Sequence, residues 1–336
     1  MVARTPKSGG AYYLASPQTH MGFIPSGSLL LDLALGGGWA EGRIANIIGD
    51  SSTGKTLLCI EAAANFAMKY PDGVIRYRET EAAFNPEYAE TVGLPLKQVD
   101  FGKTPLETIE DLYANLSATI EYALKSNKPE LYVCDSLDAL SDKAELKRDF
   151  GDASYGGDKA KDLSRMFRKL PLAQMEQSKV TLLIVSQIRD KIGVKFGRKW
   201  TRSGGKALQF YCSQIVFLTQ TGMVTRTINN TKHVTGIDIR AKCEKNKAGQ
   251  AFREAAFPIM FGYGIDDVES CCEYLETNGG LKNVLGPMKE QAFRNAIRNR
   301  DKGWKNLTAK LHSEVDKHWY ATQRALLPKF KKYDSP

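Results

Sequence analysis

The 336-residue sequence contains no C-x-x-C pair and only four histidines, His20, His233, His312 and His318, scattered without ligand spacing. No structural zinc site is therefore expected from the pattern. Nowhere do 18 consecutive apolar residues occur, and no apolar run follows Arg4 and Lys7 near the start. Neither a membrane span nor an export signal is expected. Internal repeats and low-complexity tracts are also missing. The six cysteines (Cys59, Cys134, Cys212, Cys243, Cys271, Cys272) fall largely within apolar runs. They read as small hydrophobes, the adjacent Cys271 and Cys272 included, in a reducing cytoplasm.

What is present is globular text, 42% hydrophobic and 25% charged, long enough for a large core with one or two small appendages. The net charge is +9, and its placement matters more than its size. From Leu281 to Pro336 there are 13 Lys and Arg against 5 Asp and Glu, so +8 of the +9 lies in the last sixth of the chain. Such asymmetry points to a polyanionic partner, nucleic acid foremost, because no basic amphipathic helix with a Trp and Leu face suits a membrane.

One stretch organises the rest. Gly49-Asp50-Ser51-Ser52-Thr53-Gly54-Lys55-Thr56 fits the phosphate-loop pattern G-x-x-x-x-G-K-[ST] at every fixed position. The apolar run Arg43 to Ile48 before it predicts a buried strand, and Leu57 to Lys69 after it a helix. In that setting Gly49 and Gly54 let backbone N–H groups fold around phosphate oxygens, and Lys55 neutralises the outer phosphates. Thr56 offers a hydroxyl to magnesium. A nucleotide-binding role follows, with ATP and Mg2+ as the expected ligands.

Residues 1–22 read as an arm, with Ala11 to Ala15 as its one candidate strand. Ser26-Gly27-Ser28 should cap a helix from Leu29 to Leu35, ended by Gly36-Gly37-Gly38. Further strands are expected at Gly73 to Glu79, Val99 to Gly102, Leu131 to Asp135 and Val180 to Ser186. Helices are expected at Asn85 to Val92, Pro105 to Lys125 and Lys161 to Gln177. Alternation of this kind predicts an α/β fold with a mostly parallel sheet covered on both faces. Glu145 to Lys159 and Arg189 to Lys206 lose periodicity and read as loops. The second carries seven basic residues (Arg189, Lys191, Lys195, Arg198, Lys199, Arg202, Lys206) against Asp190 alone. Strands at Gln214 to Leu218, Gly236 to Lys242 and Ala255 to Phe261 follow. Helices are then expected at Asp266 to Asn278, Pro287 to Arg298 and Asn306 to Leu326. A boundary near residue 264 would separate a core, 23–264, from a basic helical domain, 265–336.

Phosphate-loop ATPases need a second acidic group near the metal and a base for the attacking water. Asp135, ending an apolar strand, suits the first. Glu79 and Glu81 stand equal for the second on spacing alone.

From Phe23 to about Leu275 the sequence resembles the bacterial RecA recombinase family. The resemblance rests on Leu35-Gly36-Gly37-Gly38, Gly42-Arg43-Ile44, the phosphate loop, Glu79-Thr80-Glu81 and Asp135 to Leu140. It continues through Ser186-Gln187-Ile188-Arg189, Lys191 to Val194, Ser203-Gly204-Gly205-Lys206-Ala207-Leu208 and Lys245-Asn246-Lys247, all in family order. It implies Glu81 as the catalytic glutamate, Asp135 as the magnesium-shell aspartate, and Tyr88 as the aromatic that stacks on adenine. Gln187 resembles the glutamine that senses the γ-phosphate. Lys245 and Lys247 resemble lysines that reach a neighbouring subunit's nucleotide, and Phe210 an interface residue. The resemblance makes Gly151 to Lys159 a first DNA-binding loop with Tyr155 as an apolar wedge, and Arg189 to Lys206 a second with Ile192 as its wedge. Lys161 and Arg168 follow the first loop where family arginines lie.

Departures from the family are clear. Glu79 stands where a shorter aspartate is usual, and Asn85 where an acid normally meets the adenine amino group. The N-terminal helix that packs on the next subunit has no counterpart, and basic Lys329 to Lys332 replaces an acidic tail. A bacteriophage version of the family would fit such ends. The resemblance implies an ATPase that forms a helical filament on single-stranded DNA and pairs it with duplex DNA. Arg294, Arg298, Lys302 and Lys305 are expected to capture that duplex. A ring-forming DNA motor or helicase on the same core is the alternative.

Overall fold

The computed structural model of the protein describes residues 21–82, 84–146, 158–190, 200–202 and 205–329. Almost all of the expected arm, with Ala11 to Ala15, lies outside these residues. So do Tyr155, Lys191, Ile192, Arg198, Lys199, Ser203, Gly204 and the terminal Lys331 and Lys332.

The chain begins with β1 (Phe23–Ile24), α1 (Leu29–Leu35), β2 (Trp39–Ala40), β3 (Ile44–Gly49) and α2 (Lys55–Lys69). Next come β4 (Val74–Glu79), α3 (Pro86–Val92), β5 (Val99–Asp100), α4 (Ile109–Ser126), β6 (Glu130–Asp135) and a short α5 (Lys143–Leu146). Then follow α6 (Asp158–Lys169), α7 (Leu172–Ser178), β7 (Val180–Asp190), β8 (Trp200–Arg202) and α8 (Gly205–Tyr211). The chain continues as β9 (Gln214–Ile228), β10 (Thr231–Asn246), β11 (Glu254–Met260) and β12 (Gly264–Ile265). It finishes with α9 (Asp267–Thr277), α10 (Leu281–Leu285), α11 (Glu290–Arg298) and α12 (Trp304–Leu326).

Strand order in the main sheet is β12-β11-β10-β9-β3-β7-β6-β4-β5, with β8 paired to β7. The strands from β9 through β3, β7, β6 and β4 to β5 run parallel, and β9 to β12 continue the sheet antiparallel. The α/β expectation thus holds. Strand β3 is buried along its whole length because it is covered twice. Ala45 and Ile47 enter one core, under α1 and α2, whereas Ile44 and Ile48 enter the other, under α4, α6 and α7. That is the period-2 alternation of a strand between two apolar layers.

Local chemistry moves several boundaries. Helix α4 starts at Ile109, not Pro105, because Thr108 and Asp111 form a reciprocal capping box, with N–H to oxygen distances of 3.1 and 3.2 Å. The single helix expected from Lys161 to Gln177 is two. Pro171 has no N–H to continue the ladder and forces the residue before it out of helical geometry, so α7 restarts at Leu172.

The stretch Arg189 to Lys206, expected as a loop, stands at both ends on regular structure. Ile188, Arg189 and Asp190 pair with Arg202, Thr201 and Trp200 as an antiparallel ribbon, and Gly205 and Lys206 open α8. Strands β9 and β10 also run much further than Gln214 to Leu218 and Gly236 to Lys242. They leave the sheet as a two-stranded ribbon turned by Asn229 and Asn230, both with positive φ.

The C-terminal helices do not form a core of their own. Val268, Cys271, Leu275, Phe293, Leu311 and Trp319 belong to the same apolar cluster as α1, α2 and β11. Two of the cations expected to meet duplex DNA are engaged in this packing. Arg298 bonds Asp266 at 2.7 Å and also Glu269, and Arg294 pairs with Glu269 at 3.5 Å and with Glu290. Their side chains are only 28% and 12% exposed.

Because one cluster spans both regions, Phe293→Ala should cost about 3–5 kcal/mol of global stability. In urea, intrinsic fluorescence and nucleotide binding should be lost in one shared transition at a lower midpoint. Two separated transitions would show that the C-terminal helices fold independently.

Candidate nucleotide site

The loops after β3, β4 and β6 meet at one edge of the parallel sheet, beside Gln187 of β7. After β3 the chain turns through Ser52 (φ 58°) and Gly54 (φ 83°) into α2, which begins at Lys55. Gly54 suits this turn chiefly through its backbone. Its φ suits glycine, and a Cβ there would lie 2.4 Å from Ile259 Cδ1. The turn aims backbone N–H groups and the positive end of a 15-residue helix at one point. Thr53 Oγ1 donates to the Asp50 carbonyl at 2.9 Å, and Lys55 Nζ donates to the same carbonyl at 2.5 Å. Burial pushes the Lys55 ammonium below its ordinary pKa, and Asp135, Glu81, Asp50 and Asp138 oppose that shift. A buried cation amid carboxylates is a ready partner for a polyphosphate.

The cavity over this loop has a volume of about 410 Å³. It is lined by Ser51 to Leu57, Glu81, Tyr88, Asp135 and Gln187 on one side and by Ile237, Ile259 and Phe261 on the other. Residues from seven separate stretches of sequence thus converge on one space.

Asp135, at the end of β6, accepts hydrogen bonds from Thr56 and from Tyr77, the latter at 2.9 Å. Burial raises its carboxyl pKa, those two bonds lower it, and Glu81 and Glu79 raise it further. A hard divalent cation beside Thr56 and Asp135 would relieve this crowding. The two side chains provide the hydroxyl and carboxylate oxygens that magnesium favours.

Glu79 and Glu81, equal by spacing, have different surroundings. The Glu79 carboxylate accepts the backbone N–H groups of Glu81 and Ala82 at 2.9 and 2.8 Å. It thereby shapes the turn on which Ala82 has a φ of 53°. Glu81 instead lines the cavity. Its Oε1 accepts from Gln187 Nε2 at 3.1 Å and from the Ser136 hydroxyl. Gln187 is fixed in turn by its own N–H, which donates to Asp138 Oδ2 at 2.7 Å. Thr80 ties β4 to β6, its N–H donating to the Asp135 carbonyl and its hydroxyl to the Ser136 carbonyl, at 2.9 and 2.8 Å.

Other expected residues lie elsewhere. Asn85 caps α3 by accepting the Tyr88 N–H at 2.9 Å and does not line the cavity, although Tyr88 does. Lys245 is not among the residues lining this chain's cavity and donates to the carbonyls of Gln209 and Phe210 at 2.5 and 2.9 Å. Lys247 is exposed, and so is the Phe210 side chain, at 70%. Lys161, Arg168 and Lys206 lie on exposed helix positions. Ser136, Asp138, Ile237, Ile259 and Phe261 were given no role by sequence. Ser136 and Asp138 flank Leu137 within the matched motif, so a signal existed there. The three apolar residues come from the antiparallel half of the sheet, where no local pattern marks a pocket wall.

A phosphate loop opening a helix at the end of a central parallel strand, faced by Glu81 and Asp135 from adjacent strands, defines a phosphate-loop nucleotide-binding α/β protein. Comparison with known proteins narrows the class. The chain belongs to the RecA family: the model of the RecA N-terminal domain matches residues 9–266. Over 248 residues the chain is 40% identical to Protein RecA of Methylococcus capsulatus and 36% identical to Protein RecA of a Nocardioides species. Each match covers 72% of this chain, and 66% and 65% of those relatives respectively. The chain thus spans slightly under two thirds of their length.

The two acids should separate in kinetics. Glu81→Gln is expected to retain nucleotide binding while ATP turnover falls by at least about a hundredfold, as for loss of a general base. Glu79→Gln keeps one acceptor oxygen for the turn and should lose no more than about tenfold. Steady-state ATPase assays with parallel nucleotide-binding titrations distinguish the two roles, and a worse loss at Glu79 would reverse them.

Proposed function

We propose that the protein is a DNA-dependent ATPase that assembles as a helical filament on single-stranded DNA and catalyses homologous pairing and strand exchange. The observation that carries this reading is the position of Gln187. It holds Glu81 inside the nucleotide cavity, and the next residue, Ile188, is already paired with Arg202 in the ribbon that bears the basic stretch. A change at the terminal phosphate can therefore reach the DNA-binding segment through one strand.

Residues 49–56 cradle the phosphates, Tyr88 stacks on the base, and Thr56 and Asp135 hold magnesium, which neutralises phosphate charge when bound. Glu81 orients the attacking water, with Gln187 and Ser136 fixing its carboxylate. The family relationship supports Arg189, Lys191, Arg198, Lys199, Arg202 and residues 203–206 as contacts to the DNA backbone, with Lys161 and Arg168 beside them. Tyr155 and Ile192 act as wedges between bases. Hydrolysis resets the filament, because strand exchange trades one set of base pairs for another of nearly equal energy.

The 265–336 helices form a second DNA surface. With Arg294 and Arg298 engaged in ion pairs, its duplex contacts fall to exposed Arg300, Lys302 and Lys305 around Trp304. Residues 1–22 act as an arm that joins subunits. A cytoplasmic setting suits six buried free thiols. Among the described residues no helix is long and apolar enough to cross a membrane.

Electron micrographs with single-stranded DNA and a non-hydrolysable ATP analogue test the assembly. Helical filaments are expected, and closed rings would favour a DNA motor instead.

The site is shared between subunits in this reading, since Lys245 and Lys247 serve a neighbour's nucleotide. Lys55→Ala chains keep both lysines, and Lys245→Ala, Lys247→Ala chains keep the phosphate loop. Mixing two inactive preparations should therefore restore ATPase activity in proportion to mixed junctions. No recovery in mixtures that co-assemble would place the lysines outside catalysis.

A further inference from the structure

Away from the nucleotide cavity, α9 and α12 bring together three potential metal ligands of different chemistry. Asp267 is the first residue of α9, Cys271 lies one turn further on the same face, and His312 faces them from α12. One ligand atom from each lies within 4.8 Å of the others. His312 Nε2 is 2.9 Å from Asp267 Oδ2, and Cys271 Sγ is 3.8 Å from Asp267 Oδ1. The Leu29 N–H donates to Asp267 Oδ1 at 2.7 Å and fixes the carboxylate from a third element. The thiol is fully buried, whereas the His312 and Asp267 side chains are 36% and 21% exposed. An ion can thus enter from the imidazole side and meet sulfur at the closed end.

The surroundings carry a surplus of acid. Asp32 acts electrostatically on both Asp267 and His312, Glu61 on Asp267, and Asp316 on His312. Three carboxyl groups, Asp267, Asp316 and Asp32, therefore act on a single imidazole, with Glu61 behind Asp267. Burial holds the Asp32 and Glu61 carboxyls at a pKa of about 7, against ordinary values of 3.8 and 4.5. A bound cation would let them ionise.

We propose that Asp267, Cys271 and His312 bind one zinc-type divalent cation, with water as the fourth ligand. A tetrahedral site with zinc bond lengths of about 2.0 to 2.3 Å separates its ligand atoms by roughly 3.3 to 3.7 Å. The present separations run from 2.9 Å to at most 4.8 Å, so the widest pair would close by no more than about 1.5 Å. Thiolate and imidazole select zinc over magnesium, which keeps this site distinct from the one at Thr56 and Asp135. Binding displaces the Cys271 thiol proton and, from the imidazolium form, the His312 Nε2 proton, both passing to solvent. Asp316, one turn beyond His312, steadies the imidazole as a neighbouring carboxylate. The ion would clamp α9 to α12 and, through Leu29, to the start of α1.

The full chain, stripped by a chelator and free of nucleotide, is titrated with Co2+ as a spectroscopic stand-in for zinc. A thiolate-to-cobalt charge-transfer band and tetrahedral visible bands should saturate at one ion per chain, and Zn2+ should then bleach them. Zn2+ alone should raise the melting temperature of the stripped protein. Cys271→Ser should abolish the charge-transfer band. His312→Gln, at a partly exposed position that tolerates change, should weaken affinity by about a hundredfold or more, and Asp316→Asn by about tenfold. His318→Gln should leave affinity unchanged. Absence of a thiolate band in the unaltered chain overturns the proposal, as does a band that survives Cys271→Ser in folded protein. Unaltered affinity in His312→Gln also overturns it, leaving an aspartate–histidine ion pair and a buried thiol.

Discussion

The contact between Glu81 and Gln187 depends on three strands lying side by side in parallel register. Glu81 follows β4, its hydroxyl partner Ser136 follows β6, and Gln187 lies within β7. These strands are consecutive neighbours beside β3, which carries the phosphate loop. Parallel pairing sets their ends at one edge, and right-handed crossover through α2, α4, α6 and α7 keeps the connections off that edge. A one-residue slip in any strand would turn its side chains to the opposite core and dissolve the cluster. Register, held by apolar burial on both faces, is therefore what fixes the chemistry.

How much of this was legible followed from how local each signal is. The phosphate loop, the cap at Ser28 and the apolar strands are written in contiguous residues, and they fall where expected. Glu81 and Glu79 could not be ranked by spacing, because the difference between them lies in which backbone groups each carboxylate meets after folding. The β9–β10 ribbon was missed because threonine and basic residues interrupt its apolar alternation, although Asn229-Asn230 between β-branched residues was a usable turn signal. The apolar wall of Ile237, Ile259 and Phe261 is produced by sheet order alone.

Charge in the C-terminal part also divides by geometry. Residues 281–336 are basic as a whole, yet Arg294 and Arg298 point inward to Glu269, Asp266 and Glu290. An arginine half-buried among carboxylates is held by several charge-assisted bonds and is costly to remove, whereas an exposed lysine carries little folding energy. The two kinds look alike in a count of charges. Only their spacing against the acids of α9 separates them.

The ribbon of β9 and β10 has a further consequence. Beyond Leu218 the pair has lost its β3 neighbour, and before Gly236 it lacks the support of β11, so the outer part is held by its own cross-strand bonds. A two-stranded ribbon has little stability by itself. Local opening is thus cheapest at Asn229 and Asn230 and becomes progressively harder toward Ile237, where the strand joins the nucleotide cavity. The molecule carries a gradient of amide protection along one continuous strand, loose at a solvent tip and locked at the pocket wall. Whatever stiffens the tip adds order to an element whose other end already borders the nucleotide.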